Sequence, residues 1–108
     1  MQPNKRVVWL GSSKANLNAF PKAVTAQAGY ELYRVQCGLE PTDWKPMSAI
    51  GSGVREIRVR DSAGAFRVIY LASRPDAIYV LHCFQKRTRK TAQGDTELAR
   101  QRLKVLSR

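Results

Sequence analysis

The side chains of this sequence that could do chemistry are mainly those of Lys and Arg. The segment 54–61 carries three arginines, and the run 86–90 has four cations among its five residues. Guanidinium and ammonium groups bind phosphate well, because they combine full charge with several hydrogen-bond donors. We therefore predict that these two segments, together with Arg67 between them, contact a phosphate-bearing molecule. The predicted contacts are Arg55, Arg58, Arg60, Arg67, Lys86, Arg87, Arg89 and Lys90.

Arg67 lies in the most apolar part of the sequence, within the run AFRVIYLA at 65–72. A charge in the middle of such a strand is costly unless it has a partner or reaches an open groove. One interpretation is a structural ion pair with Glu56 on the neighbouring strand. The other is phosphate binding, which we favour because the chain contains few acids.

His82 and Lys86 belong to the last apolar segment of the predicted sheet. A single His in such a strand is more often a core residue than a catalyst. If it is exposed, however, the reference pKa of histidine suits a proton shuttle. Phe84 and Tyr70 add rings on which a nucleobase could stack.

The acidic residues do not suggest a catalytic pair or a metal site. The eight Asp and Glu are scattered, and one His with two Cys cannot form a four-ligand zinc site. We predict no metal and no cofactor. RNA cleavage needs neither, because the ribose 2′-hydroxyl can attack the adjacent phosphorus while basic groups stabilise the developing charge.

The bulk properties of the chain agree with a polyanionic partner. Its 108 residues suit one domain over 1–108, and its formal net charge is +11 with a pI near 10.4. No apolar run approaches the roughly 20 residues that span a bilayer, so we expect no membrane association. We interpret Cys37 and Cys83 as reduced thiols of a cytoplasmic protein.

The elements that must position these residues follow from periodicity and turn signals. We predict a strand at 6–10, a short helix to about Ala19, and a second helix from Pro21 to a cap at Gly38. A connection at 39–53 leads to three strands at 54–61, 65–72 and 77–86, and a last helix capped by Asp95 runs to about Leu106. This predicts an α+β fold with a β-α-α-β-β-β order and a C-terminal helix. We expect two helices on one sheet face and a free opposite face.

Several stretches, in a consistent order, carry a resemblance to a known family. They are FP at 20–21, GYELYRVQCGLEP at 29–41, WKPM at 44–47, IGSGVREIRVRD at 50–61, FRVIYLA at 66–72, LHCFQKRTRKT at 81–91, and AR at 99–100 with Arg102. In this set the chain resembles the phage-derived, HigB-like branch of the RelE/ParE superfamily of toxins. The resemblance covers most of the sequence.

The resemblance implies a RelE-like fold, with two N-terminal helices packed on a mainly antiparallel twisted sheet and a basic concave face. It also implies a ribosome-dependent endoribonuclease that cuts mRNA, neutralised by a cognate antitoxin that is often a helix-turn-helix protein. Arg67 matches the family's mid-strand phosphate-contacting arginine. Lys86 or Arg87 matches the basic residue that follows the last strand.

We expect the individual basic residues to have different roles. Arg58 and Arg67 would hold the scissile phosphate, Lys86 would stabilise charge or donate a proton, and His82 is a further catalytic candidate. Contacts to flanking RNA are assigned to Lys45, Arg55, Arg60, Arg87, Arg89 and Lys90, with Lys45 also a candidate for proton transfer. Two alternatives stay open: a ParE-like toxin that binds DNA gyrase without cleaving, and a non-toxic RNA-binding module.

Overall fold

A computed structural model of the protein describes residues 5–106. It contains five strands and three helices in the order β1 (Arg6–Trp9), α1 (Ser13–Asn18), α2 (Lys22–Gln36), β2 (Trp44–Pro46), β3 (Val54–Asp61), β4 (Gly64–Leu71), β5 (Ala77–Lys86) and α3 (Gln93–Leu106). The predicted α+β class is confirmed, and so are the three consecutive long strands.

The strands form one mixed sheet with the spatial order β1-β5-β4-β3-β2. Short turns make β3, β4 and β5 antiparallel neighbours, as expected for consecutive hairpins. The first strand instead pairs in parallel with β5, with Val7 opposite Ile78. A register shift between Ile69 and Tyr70 changes how β4 faces β5. Strands β4 and β5 lie inside the sheet and contribute residues to the cores on both of its faces.

Helices α1 and α2 cover one face of the sheet. The predicted apolar stripe of α2 is buried at Val24, Ala28, Leu32 and Val35, and it packs against β3, β4 and β5 in the larger core. Gly38 ends the helix with a φ of +83°, the left-handed conformation predicted for it. This face is filled by apolar side chains.

We expected the opposite face of the sheet to be free, and this is wrong, because α3 packs across it. Ala99 is fully buried there against a second core that includes Ile69, Leu71 and Leu81. The guanidinium of Arg102 donates to the carbonyl of Leu81 and helps to fix the helix on the strand. Helix α3 thus restricts the exposed part of this face to the end formed by β2, β3, β4 and the last residues of β5.

Two predicted boundaries are also wrong. The supposed connection at 39–53 contains β2, which pairs with β3 through Lys45 opposite Glu56. A strand of three residues that ends in Pro46 is too short to show an alternating pattern, and a proline within a run argues against a strand. Helix α3 begins two residues early, at Gln93, so Asp95 lies in its first turn rather than capping it. In residues 5–106 there is no helix with the length and apolar character needed to cross a bilayer.

The two cysteines are free thiols in different environments, and this difference can be measured. Burial raises the pKa of the Cys83 thiol to about 12, while Cys37 is half-buried at the end of α2. Because the thiolate is the reactive form, we expect maleimide at pH 8 to modify Cys83 about a thousandfold more slowly than an ordinary thiol. Mass spectrometry of timed samples measures this. Equal modification rates of Cys37 and Cys83 in the folded protein would contradict the burial of Cys83 in β5. As a control, both cysteines should react in the urea-unfolded protein.

Candidate nucleic-acid interface

The register of the sheet brings basic side chains from four strands to one face. Arg58 on β3 lies directly opposite Arg67 on β4, and Arg67 lies opposite Phe84 on β5. Residues that are directly opposed point to the same side of a sheet. Lys86, two positions after Phe84, shares this face, and so does Lys45 on β2, which is opposite Glu56. We refer to Lys45, Arg58, Arg67 and Lys86 as the basic cluster.

A single buried carboxylate, that of Glu56, lies at the centre of the basic cluster. Its Oε1 is 3.3 Å from Nε of Arg67 and 4.0 Å from Nε of Arg58. Its Oε2 accepts a hydrogen bond of 2.8 Å from the hydroxyl of Thr91, which lies in the connection between β5 and α3. Glu56 therefore joins two strands and also ties this connection to the sheet.

The ion contacts of Glu56 leave hydrogen-bonding capacity unused. Within residues 5–106, no aligned hydrogen bond is made by Oε1 of Glu56 or by Nε of either Arg58 or Arg67, although all three atoms are buried. Buried polar atoms in proteins are nearly always satisfied, so a group of three at one place requires a physical explanation. The attraction between these charges is therefore mainly Coulombic, and both Nε donors are buried beside the carboxylate.

Arg67 itself is only 2% exposed. Desolvation by burial lowers its pKa, with the neighbouring Arg58 and Arg60 adding to the effect, while Glu56 opposes it. One of its terminal nitrogens donates to the carbonyl of Phe66 at 3.0 Å. The ion pair between Arg67 and Glu56, one of the two interpretations of the sequence, is thus present. If Arg67 stabilises a bound phosphate, as predicted, it does so through its charge, from beneath side chains that are more exposed.

Arg58 and Lys86 are the members of the cluster that flank Arg67 and reach solvent. The side chain of Arg58 is 29% exposed, and Lys86 and Lys45 are also half-buried. Partial desolvation lowers the pKa of Lys86, and repulsion from Arg67, Lys45 and Arg58 lowers it further, against an opposing contribution from Glu56. A lysine in this state releases its proton more easily than an ordinary lysine.

The lowered pKa of Lys86 can be tested directly by NMR titration of the lysine ε-carbons. We expect Lys86 to lose its proton at a lower pH than is usual for lysine. In the Lys45→Gln variant the Lys86 pKa should rise, because removing a nearby positive charge favours the charged form. Lys104→Gln, on the exposed surface of α3, should leave the Lys86 titration unchanged. A Lys86 that titrates like ordinary lysines in the native protein would contradict the proposed crowding of charge.

His82 is buried rather than exposed. Its Nε2 is 2.7 Å from Oδ1 of Asp95, and its ring stacks on Phe84 with 4.9 Å between centroids. It therefore links β5 to the first turn of α3. The catalytic role predicted for His82 depended on exposure, and this geometry instead supports a role in holding Asp95 and Phe84 in place.

The structure separates the other predicted RNA contacts into two groups. Arg55 lies on the face covered by α2, where its guanidinium is 4.1 Å from the Trp44 ring centroid and 3.6 Å from Glu40. It is not part of the basic cluster. Arg60 follows Arg58 on the cluster side of β3 and is exposed. Beyond the end of β5, the basic side chains of Arg87, Arg89 and Lys90 are exposed, and the last two line a shallow groove that also reaches Arg100.

Sequence reasoning did not assign a site role to Glu56, Thr91 or Asp95. The alternation along β3 placed Glu56 on the same face as Arg58, and this signal was available. The contacts of Thr91 and Asp95 depend on how α3 and the preceding connection fold back onto the sheet. Nothing in the local sequence specifies that path. In the part of the chain from Lys5 to Leu106, no group of three or more His, Cys, Asp and Glu side chains is arranged to hold a metal ion.

The sequence is similar to a known protein family. The family model described as phage derived protein Gp49-like (DUF891) matches residues 15–104. The matched region runs from α1 to α3 and includes all of the basic cluster. No curated protein matches the chain.

Proposed function

Because this chain belongs to the phage-derived Gp49-like family, which is related to RelE-type toxins, we propose that it is the toxin of a toxin–antitoxin pair. We propose further that it is of the HigB-like kind and cuts mRNA on the ribosome in the cytoplasm. Its partners would be the ribosome, mRNA and a cognate antitoxin, the last a helix-turn-helix protein. The observation that carries this proposal is the basic cluster, in which four cations lie around the single buried carboxylate of Glu56.

The charge balance of the cluster favours an anionic ligand. Four cations surround one buried carboxylate, so the site has an excess of positive charge even when the ion pairs are formed. A phosphate group supplies the charge and the oxygen acceptors that these donors lack. Arg58 and Lys86 would contact it directly. Arg67 would add positive potential from beneath, in a position fixed by Glu56.

The reaction that suits this site is attack by the ribose 2′-hydroxyl on the adjacent phosphorus, in which the hydroxyl loses its proton to solvent and the bond from phosphorus to the 5′-oxygen breaks. The products would be a 2′,3′-cyclic phosphate and a 5′-hydroxyl end. Arg58 and Arg67 would stabilise the charge that develops on the phosphate oxygens. Lys86 would protonate the departing 5′-oxygen, a role to which its lowered pKa is suited. DNA would not be cut, because it lacks the 2′-hydroxyl.

The connection after β5 would bind the flanking RNA. Arg87, Arg89 and Lys90 are exposed and continue the positive surface away from the cluster. Such contacts to phosphates are independent of base identity and weaken as salt concentration rises. The hydrogen bond from Thr91 to Glu56 holds this connection against the site.

The experiment that tests this proposal is brief induction of the protein in a bacterial host, followed by mapping of mRNA 5′ ends within ribosome-bound messages. We expect new 5′-hydroxyl ends inside coding regions and an arrest of protein synthesis while DNA replication continues. Replication arrest with an induced DNA-damage response, and no new mRNA ends, would instead indicate a gyrase-directed toxin. Normal growth at full expression would refute toxicity.

A further inference from the structure

A small cavity lies next to the basic cluster, between the end of β5 and the first turn of α3. Its walls include Phe84, Lys86 and Asp95, and its volume is about 280 Å³. Sites for drug-sized ligands usually occupy roughly 300–1,000 Å³. This cavity is therefore suited to a flat fragment the size of one nucleobase rather than to an extended molecule.

Lys86 connects the cavity with the cluster, because it contributes to both. Its ammonium group is close enough to Arg67 and Arg58 to be influenced by their charges, and its side chain forms part of the cavity wall. Phe84 supplies an apolar ring on the same wall and is itself supported by the stacked ring of His82. A nucleotide whose phosphate is bound at the cluster would thus have its base within reach of this cavity.

Asp95 is the acidic residue that lines the cavity, and its carboxylate can distinguish one base from another. Its contact with His82 uses Oδ1, and its side chain is 29% exposed. Among the described residues, 5–106, Oδ2 has no hydrogen-bond partner. A carboxylate oxygen only accepts hydrogen bonds, so it pairs with the exocyclic amino groups of adenine, cytosine or guanine. Uracil presents two carbonyl oxygens, which a carboxylate repels, on either side of its one imino group.

We propose that this cavity binds the base of the nucleotide adjoining the cleaved bond, and that Asp95 selects bases with an exocyclic amino group over uracil. This inference rests on the proposed function and adds to it a determinant of sequence preference. His82 is then a positioning residue, which orients Asp95 by binding its other oxygen.

The first test uses the unmodified protein and ribosomes programmed with short mRNAs that differ only at the base beside the cleaved bond. Adenine, cytosine, guanine and uracil are compared with unsubstituted purine, which is adenine without its amino group. We expect uracil and purine to be cleaved roughly tenfold more slowly than adenine, the range that a hydrogen bond to a charged group supports. Equal cleavage of adenine and purine would overturn the proposal.

The second test is the Asp95→Asn variant, whose amide both donates and accepts and so no longer excludes uracil. The adenine-to-uracil ratio of cleavage rates should fall toward one. Glu97→Gln is the matched control, because it makes the same charge change in the same helix at an exposed side chain that pairs with Arg100. A ratio unchanged in Asp95→Asn would overturn the assignment of Asp95.

These measurements separate the two levels of the proposal. If the unmodified protein cuts none of the mRNAs, the nuclease function itself fails. If it cuts all of them at equal rates, the nuclease function stands and the base-selecting cavity is refuted. Should Asp95→Asn fail to fold, the comparison of adenine with purine on the unmodified protein still decides the question.

Discussion

Arg67→Ala is expected to lower the free energy of unfolding by about 3 kcal/mol, because it leaves the carboxylate of Glu56 buried without its nearest cation. Glu56 is fully buried, and its remaining cation, Arg58, is 4.0 Å away. The change can be measured by urea unfolding followed by tryptophan fluorescence. Growth inhibition should be lost in this variant, but that loss alone would not distinguish a catalytic defect from an unstable protein.

A surface ion pair provides the control for this stability measurement. Glu40 contacts Arg55 at 3.6 Å, and its side chain is 64% exposed. Exposed pairs contribute little, so Glu40→Ala should cost less than about 1 kcal/mol. Equal costs for Arg67→Ala and Glu40→Ala would contradict the buried, charge-paired environment of Arg67.

A double variant separates the structural role of Arg67 from its role on RNA. Arg67→Met combined with Glu56→Gln removes both charges and keeps an amide oxygen to accept the hydrogen bond from Thr91. Replacing a whole buried ion pair is often close to neutral, so we expect stability to return to within about 1 kcal/mol of the native protein. The stable double variant should remain non-toxic. Full toxicity would show that Arg67 serves only the fold.

Lys86→Gln is expected to reduce mRNA cleavage by about 10²–10⁴-fold, the usual contribution of a general acid, with little change in stability. The side chain is half-buried at the end of β5 and forms no ion pair within residues 5–106, so its replacement leaves no charge unpaired. Cleavage on ribosomes at saturating protein concentration is the appropriate measurement. Lys104→Gln removes one charge far from the cluster and should cleave normally.

The Lys86→Arg variant distinguishes proton donation from charge stabilisation. Arginine keeps the positive charge but does not release its proton in the accessible pH range. If Lys86 is the proton donor, Lys86→Arg should bind RNA normally and still cleave slowly. Nearly native cleavage by Lys86→Arg would assign Lys86 to charge stabilisation alone.

Periodicity and turn signals were sufficient to predict much of the fold. The apolar spacing of α2, the left-handed cap at Gly38 and the three long strands are local features, and each appears where it was expected. The short strand β2 and the parallel pairing of β1 with β5 were not predicted. The parallel pairing joins segments about seventy residues apart. Strand β2 is only three residues long and includes Pro46, so it shows no alternating pattern.

In the candidate site, too, strand positions could be predicted from the local sequence, whereas burial could not. The strand positions of Arg58, Arg67 and Lys86 were predicted from composition and alternation, and the sheet register does bring them together. The sequence left open whether Arg67 and His82 are buried, because their burial depends on α3 and the connection before it packing over the sheet. Exposure is a tertiary property, and a sequence read in isolation indicates only which side chains share a face.

The place of β5 between β1 and β4 has a consequence for how the protein is made. Its pairing with β1 joins residues about seventy positions apart, and such non-local contacts slow folding. A nascent chain that has not reached Ala77 contains β1 and β4 but lacks β5, the strand that pairs with both, and it also lacks Lys86. The sheet is therefore completed, and the full set of cations assembled, only near the end of synthesis, so a prematurely terminated product would lack the site on which the proposed function depends.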